Sequence, residues 1–111
     1  MRMEFVDPGS FRHEFALETV TLSSDGAGGH GETWTEIARF LARLEPIAAR
    51  SAFGAGQTLE TVTHRVTLRH RPDVRSGMRL RRLDRILEIV TVHDPDETGR
   101  YLICNARETG A

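Results

Sequence analysis

The sequence predicts a mainly β protein, a small antiparallel β-barrel or sandwich with long loops and at most one short helix. Three observations predict it. The chain breaks into five or six short runs rich in Val, Ile, Leu, Thr and Phe. Turn residues separate those runs at short, fairly regular spacing. One run, Val62-His64-Val66-Leu68-His70 against Thr61-Thr63-Arg65-Thr67-Arg69-Arg71, alternates with a clean two-residue period. A length of 111 residues fits one domain. We place that domain at residues 11–108, behind an N-terminal arm at residues 1–10.

Taken in order, Asp7-Pro8-Gly9-Ser10 carries turn chemistry. Phe11 to Leu22 reads as a strand with a bulge where the alternation shifts phase. Ser23 to Gly31 holds four glycines in nine residues and reads as an uninterrupted loop. Without a Lys or a GxxxxGK[ST] pattern it is no phosphate cradle. From Thr33 to Leu44 the even positions Trp34, Ala38, Phe40, Ala42 and Leu44 fit a half-buried strand. Ile37, Phe40, Leu41 and Leu44 also fit a helical face, and we favour the strand. Pro46 ends either element. Ile47 to Glu60, Ala-rich with Gly54 and Gly56, suggests a short helical turn. After the alternating strand, Pro72 stops the run and Asp73 to Gly77 is a turn. Met78 to Leu83 is a short strand, Arg85 to Val92 a β-branched strand, His93 to Gly99 a turn, and Arg100 to Arg107 the last strand.

Composition narrows function. The formal net charge is −1, yet all fifteen basic residues are arginines, whose planar forks make bidentate contacts that lysine cannot. From His64 to Arg85 eight arginines face only Asp73 and Asp84, so this segment is strongly basic and the rest acidic. Arg65, Arg69, Arg71, Arg79, Arg81 and Arg82 are candidates to face a partner or DNA, and a solvated strand face is the bland alternative. The segment has no Phe, Tyr or Trp for base stacking, so any DNA contact is expected to be non-specific. Cys104 is the single cysteine, which leaves no intrachain disulfide. Met1-Arg2-Met3-Glu4-Phe5 lacks a signal peptide's apolar run, and no stretch is long and apolar enough to span a membrane.

Catalytic and metal chemistry find no support. His64 and His70 share a strand face but lie roughly 20 Å apart at about 3.3 Å per residue. No HExxH or CxxC spacing exists. His93-Asp94-Pro95-Asp96-Glu97 concentrates carboxylates beside a histidine, but in a turn whose geometry Asp and Pro serve. No cofactor, no metal and no enzymatic activity are expected.

Four pieces, in order, resemble the phage head-tail joining family, the head-closure or stopper proteins of long-tailed phages. Phe11-Arg12-His13-Glu14-Phe15-Ala16-Leu17 is similar to the family's Leu-Arg-His-Arg-Val-Thr opening. Asp25-Gly26-Ala27-Gly28-Gly29-His30-Gly31-Glu32-Thr33-Trp34 is similar to its Asp-Gly-x-Gly-Gly loop and following Trp. Thr63-His64-Arg65-Val66-Thr67-Leu68-Arg69-His70-Arg71-Pro72 is similar to its Thr-His-Arg-Ile-x-Ile-Arg-Tyr-Arg strand. Arg85 to Ile89 followed by Tyr101-Leu102-Ile103-Cys104 is similar to its Tyr-Leu close. His70 stands where the family often has Tyr, and Glu14 where a basic residue is usual.

The resemblance implies a structural head-tail connector in the virion of a phage or a gene transfer agent, assembled in the bacterial host cytoplasm. It implies a homo-oligomeric ring, a hexamer or a dodecamer, beneath the portal-adaptor complex. The ring would retain packaged double-stranded DNA in its channel. Its other partners would be the head-tail adaptor protein on one side and the tail terminator or tail tube on the other. Arg50, Ser51, Phe53, Gly54, Gly56 and Gln57 are candidates for a channel-gating loop, with Ser23 to Glu32 second. The alternative reading is a small Arg-rich β-barrel that binds nucleic acid.

Overall fold

The computed structural model describes residues 7–24, 26, 28–47 and 62–109. Six strands carry the fold: β1 (His13–Ser24), β2 (His30–Pro46), β3 (His64–Arg69), β4 (Arg79–Arg82), β5 (Arg85–His93) and β6 (Tyr101–Thr109). All pairings are antiparallel, and the order β1-β2-β3-β6-β5-β4 closes on itself as a barrel. Closure leaves no free sheet edge around the barrel body. Among the described residues, the helical content is one 3-10 turn at Pro8–Ser10. Asp7 caps that turn, its carboxylate accepting a 3.0 Å bond from the Gly9 N–H. The helical turn expected within Ile47 to Glu60 falls outside the described residues beyond Ile47, as do all six candidate gating residues, Arg50, Ser51, Phe53, Gly54, Gly56 and Gln57.

The core is the inward parity of each strand. Phe15, Leu17, Val66, Leu68, Leu80, Leu87 and Cys104 have no exposed surface. Val74 and Met78, from the segment before β4, join this cluster and close one mouth of the barrel. That segment is tied to β5 by bonds from Gly77 N–H to Ile89 O (3.1 Å) and from Ile89 N–H to Met78 O (2.9 Å). Ser76 donates to Val90 O at 2.7 Å, where the β5–β6 register shifts between Ile89 and Thr91.

β2 is a strand throughout, and its even residues Ala38, Phe40, Ala42 and Leu44 turn inward or half-inward, whereas Trp34, opposite Val20 and beyond the bulge, is half-buried on the outer face with Glu18. Ile37 and Leu41 are 45% and 55% exposed, which a buried helical face could not give. The expected bulge is present, but the extra residue belongs to β2. Leu17 pairs with Ala38 and Glu18 with Glu36, so Ile37 has no partner. The glycine segment is shorter as a loop than Ser23 to Gly31. Pairing continues to Ser24 opposite His30, and the turn occupies only the residues between them. Thr, Ser and Gly opposite one another extend the ladder at low steric cost, while Gly26 and Gly28, at φ 80° and 86°, make the reversal.

β1 pairs with β4 only over Ala16–Glu18, and β2 pairs with β3 only over Ala42–Pro46. The β1 residues beyond Glu18, with β2 residues His30 to Thr35, therefore form a two-stranded ribbon projecting from the barrel. Val20, Leu22, Glu32 and Trp34 share one face of it, and Thr19, Thr21, Thr33 and Thr35 the other.

Candidate functional site

The six candidate arginines do not form one patch. Arg65, Arg69 and Arg71 belong to β3 and the residues just after it, and Arg79, Arg81 and Arg82 to β4. Two strands separate β3 from β4 in either direction around the barrel, so the two groups lie on opposite sides. A segment contiguous in sequence is divided because the residues between Arg71 and Arg79 cross the barrel mouth.

Half of these arginines are held within the chain. Arg79 donates to Glu18 Oε1 at 2.6 Å and Arg81 to Glu18 Oε2 at 3.2 Å. Glu18 is on the outer parity of β1 yet only 7% exposed, because these guanidiniums cover it. The Arg79 guanidinium also lies over the Trp34 ring, 4.1 Å from its centroid. Arg71 forms a bidentate pair with Asp73, at 3.1 and 3.0 Å, and sits 5.5 Å over the Phe40 ring. Its guanidinium holds the Asp73 carboxyl below the ordinary value, against a smaller opposing effect of burial. Arg65, Arg69 and Arg82 make no ion pair among the described residues. These three remain available to an outside group. Arg65 and Arg69 flank Thr67 on the same face of β3.

A row of alternating charge crosses four strands. Glu18 on β1 is opposite Arg79 on β4, Arg79 opposite Glu88 on β5, and Glu88 opposite Arg107 on β6. Arg107 donates to Glu88 at 2.6 Å. Cross-strand pairs of opposite sign stabilise each register step by about 0.2–1 kcal/mol. The acidic remainder of the chain thus neutralises much of the basic segment internally.

The barrel interior ends in a polar plug at the start of β3. His64, Arg85 and Glu108 follow the inward parity of Val66, Leu87 and Ala106. Arg85 chelates Glu108 at 2.7 and 3.0 Å, and holds that carboxyl below its ordinary value. His64 Nε2 lies 3.9 Å from the same carboxylate, and Thr63 Oγ1 accepts from the Glu108 N–H at 2.8 Å. Burial lowers the His64 pKa, with Glu108 opposing and Arg85 adding to the shift.

Among the described residues no group of His, Cys, Asp and Glu is placed to hold a metal. His70 lies beyond β3, its N–H bonded to Arg100 O at 2.9 Å. Asp94 and Asp96 spend their oxygens on the turn: Gly99 N–H donates to Asp94 at 2.7 Å and Thr98 N–H to Asp96 at 3.2 Å. Cys104 is fully buried and its thiol is pushed up to about 12, so no thiolate nucleophile is present near neutral pH.

Three residues in this arrangement escaped sequence reasoning. Glu18 gave a weak signal, as the one charge between Phe15 and Leu22. Trp34 was read as a half-buried strand position and as part of a family motif, with nothing local to pair it with Arg79. Leu83, 80% exposed at φ 57°, occupies a two-residue turn where Gly or Asn is expected.

The sequence profile of a family described as phage head completion protein matches residues 6–109. A chain in the virion of a native gene transfer agent particle is similar in structure, with a TM-score of 0.67 and 28% identity over 90% of this chain and 96% of that one. The solution structure of a protein from Shigella flexneri 2a shares the fold, with a TM-score of 0.70 and 24% identity over 95% and 98% of the two chains. Comparison with curated protein sequences returns no match.

Proposed function

The chain belongs to the phage head completion protein family, and from that premise we propose that it assembles as a ring beneath a portal-adaptor complex, retains packaged DNA and docks the tail. The observation that carries this reading is family membership over nearly the whole barrel, from residue 6 to residue 109. Similarity to a chain of a gene transfer agent virion supports a structural role inside such a particle. The family is a structural one, and the barrel offers surfaces for assembly. A ring of identical subunits needs two different surfaces on each chain that meet head to tail and close by rotation. Loss of this gene tests the reading. Electron microscopy should then show tailless heads that have lost DNA, with free tails alongside. Normal tailed and filled particles would overturn it.

Arg65 and Arg69, without an ion pair among the described residues and on one face of β3, favour a non-specific contact with DNA phosphates as part of the same role. A second reading, a free nucleic-acid-binding barrel, rests on the same pair. It requires the purified chain to shift duplex DNA by itself with a steep salt dependence. The head-completion reading expects little DNA binding outside the particle.

A further inference from the structure

Two features of this chain have no use within it and fit one another. The first is a groove of about 370 Å³ between the projecting ribbon and the Ser76–Met78 segment. Val20 and Trp34 of the ribbon line one wall, Val90 and Glu88 of β5 the other, and Glu32 stands exposed beside them. Leu22, on the same ribbon face as Val20, adds an apolar lip that is 65% exposed.

The second feature is the tip of the β4–β5 hairpin. Arg82 pairs with Arg85, and Leu83 and Asp84 form the turn between them. Leu83 has φ 57° and is 80% exposed. Left-handed backbone disfavours a residue with a Cβ, and exposure gives an apolar side chain no return. Neither folding nor solubility calls for Leu here. Beside it, Arg82 makes no ion pair among the described residues.

We propose that the Arg82–Leu83 knob of one copy seats in the ribbon groove of the next, with Leu83 against Trp34 and Val20 and Arg82 beside Glu32. A chain's own knob cannot fill its own groove. Arg79 marks the groove end of β4, and Leu83 lies four residues further, roughly 13 Å away at about 3.3 Å per residue. Knob and groove are different surfaces, so the contact is heterologous and closes as a ring when the rotation permits. The charge match sets Arg82, which makes no ion pair among the described residues, against exposed Glu32 and half-buried Glu88, in a groove that Arg107 also lines. This inference rests on the ring reading above, and it names the surfaces that would make the ring.

The test uses the full chain, in particles and purified. Leu83→Gly suits the left-handed backbone and should keep or raise the melting temperature. In particles it should lower incorporation of the protein at least tenfold. Arg82→Glu and Glu32→Arg should each do the same, and the double variant should restore incorporation. A Leu83→Cys, Glu32→Cys chain should form a ladder of disulfide-linked copies in particles, with buried Cys104 inert. Normal incorporation of Leu83→Gly, or a cross-link from position 83 to a different virion protein, would overturn the contact. The two readings separate cleanly. Tailless particles on gene loss with a normal Leu83→Gly variant sink the contact and keep head completion. A disulfide ladder with normal particles on gene loss sinks head completion and keeps the contact.

Discussion

The Arg79 guanidinium stacks on the Trp34 ring, 4.1 Å from its centroid, at the place where the projecting ribbon leaves the barrel. The same guanidinium donates to Glu18. One side chain of β4 therefore joins β1 and β2 at the base of the ribbon. Stacking on Trp supplies about 0.5–2 kcal/mol depending on desolvation, and lysine, without a planar fork, would not reproduce both contacts.

Glu18 is the keystone of that junction. Glu18→Ala leaves Arg79, a largely covered cation, without its carboxylate. The expected loss is about 2–3 kcal/mol, from charge-assisted hydrogen bonds of roughly 1.5–3 kcal/mol. In a domain of this size that lowers the melting temperature by about 10 °C or more. Thermal denaturation followed by circular dichroism measures it. A shift under about 2 °C would show that the junction contributes little.

Inward and outward residues of the barrel should respond differently to truncation. Leu80→Ala removes a side chain with no exposure and should cost about 3–5 kcal/mol. Leu41→Ala, on the exposed face, should stay within about 0.5 kcal/mol. Urea midpoints of the two variants decide this. Equal losses would contradict the inward place of Leu80 on β4 and the outward place of Leu41 on β2.

His64 makes stability pH-dependent. Its folded pKa lies below the ordinary 6.5. As pH falls through that ordinary value, the unfolded chain takes up the proton first. Stability is thus full above about pH 7 and declines as pH drops toward the lowered folded pKa. Arg85 and Glu108 are the charged groups that face it, and both keep their charge through this window. His64→Gln should flatten the slope of melting temperature between pH 7 and pH 5. An unchanged slope would assign the dependence elsewhere.

Asp73 and Glu108 act lower on the scale. Arg71 and Arg85 depress their folded pKa values below the ordinary 3.8 and 4.5. Their contribution is present above those values and is lost as pH falls through the depressed ones. Arg85→Gln should remove the Glu108 share and move the acid-unfolding midpoint to higher pH. A midpoint that does not move would remove the plug from the acid response.

Cys104 should be silent to thiol reagents in the folded chain. Burial pushes its thiol up to about 12. A colorimetric disulfide reagent at pH 8 should react with one thiol per chain only in denaturant, since the chain has one cysteine. Rapid reaction of the native protein would mean that the barrel opens at β6.

The strands were legible because their information is local. The two-residue period of Val66 and Leu68, the β-branched run of β5 and the turn residues around Pro72 and Asp94 each act within a few positions. The even parity of β2 from Ala38 to Leu44 was legible for the same reason, but the bulge at Ile37, which turns Trp34 to the outer face, was not. The length of the ribbon was not, since small residues such as Ser23 and Gly31 read as loop until they face one another across a hairpin.

The sequence by itself determined a mainly β fold, the inward face of most strand positions, and through ordered motifs the family. Only the tertiary structure decided which arginines are paired with which carboxylates. Arg79 and Arg81 are bound by Glu18, some sixty residues earlier, and Arg85 by Glu108, twenty-three later. A charge count along the chain shows a basic block, but screening and pairing act through space. Closing the barrel carries carboxylates from distant strands onto that block, and it leaves Leu83 exposed at a hairpin tip beside a half-buried Arg82.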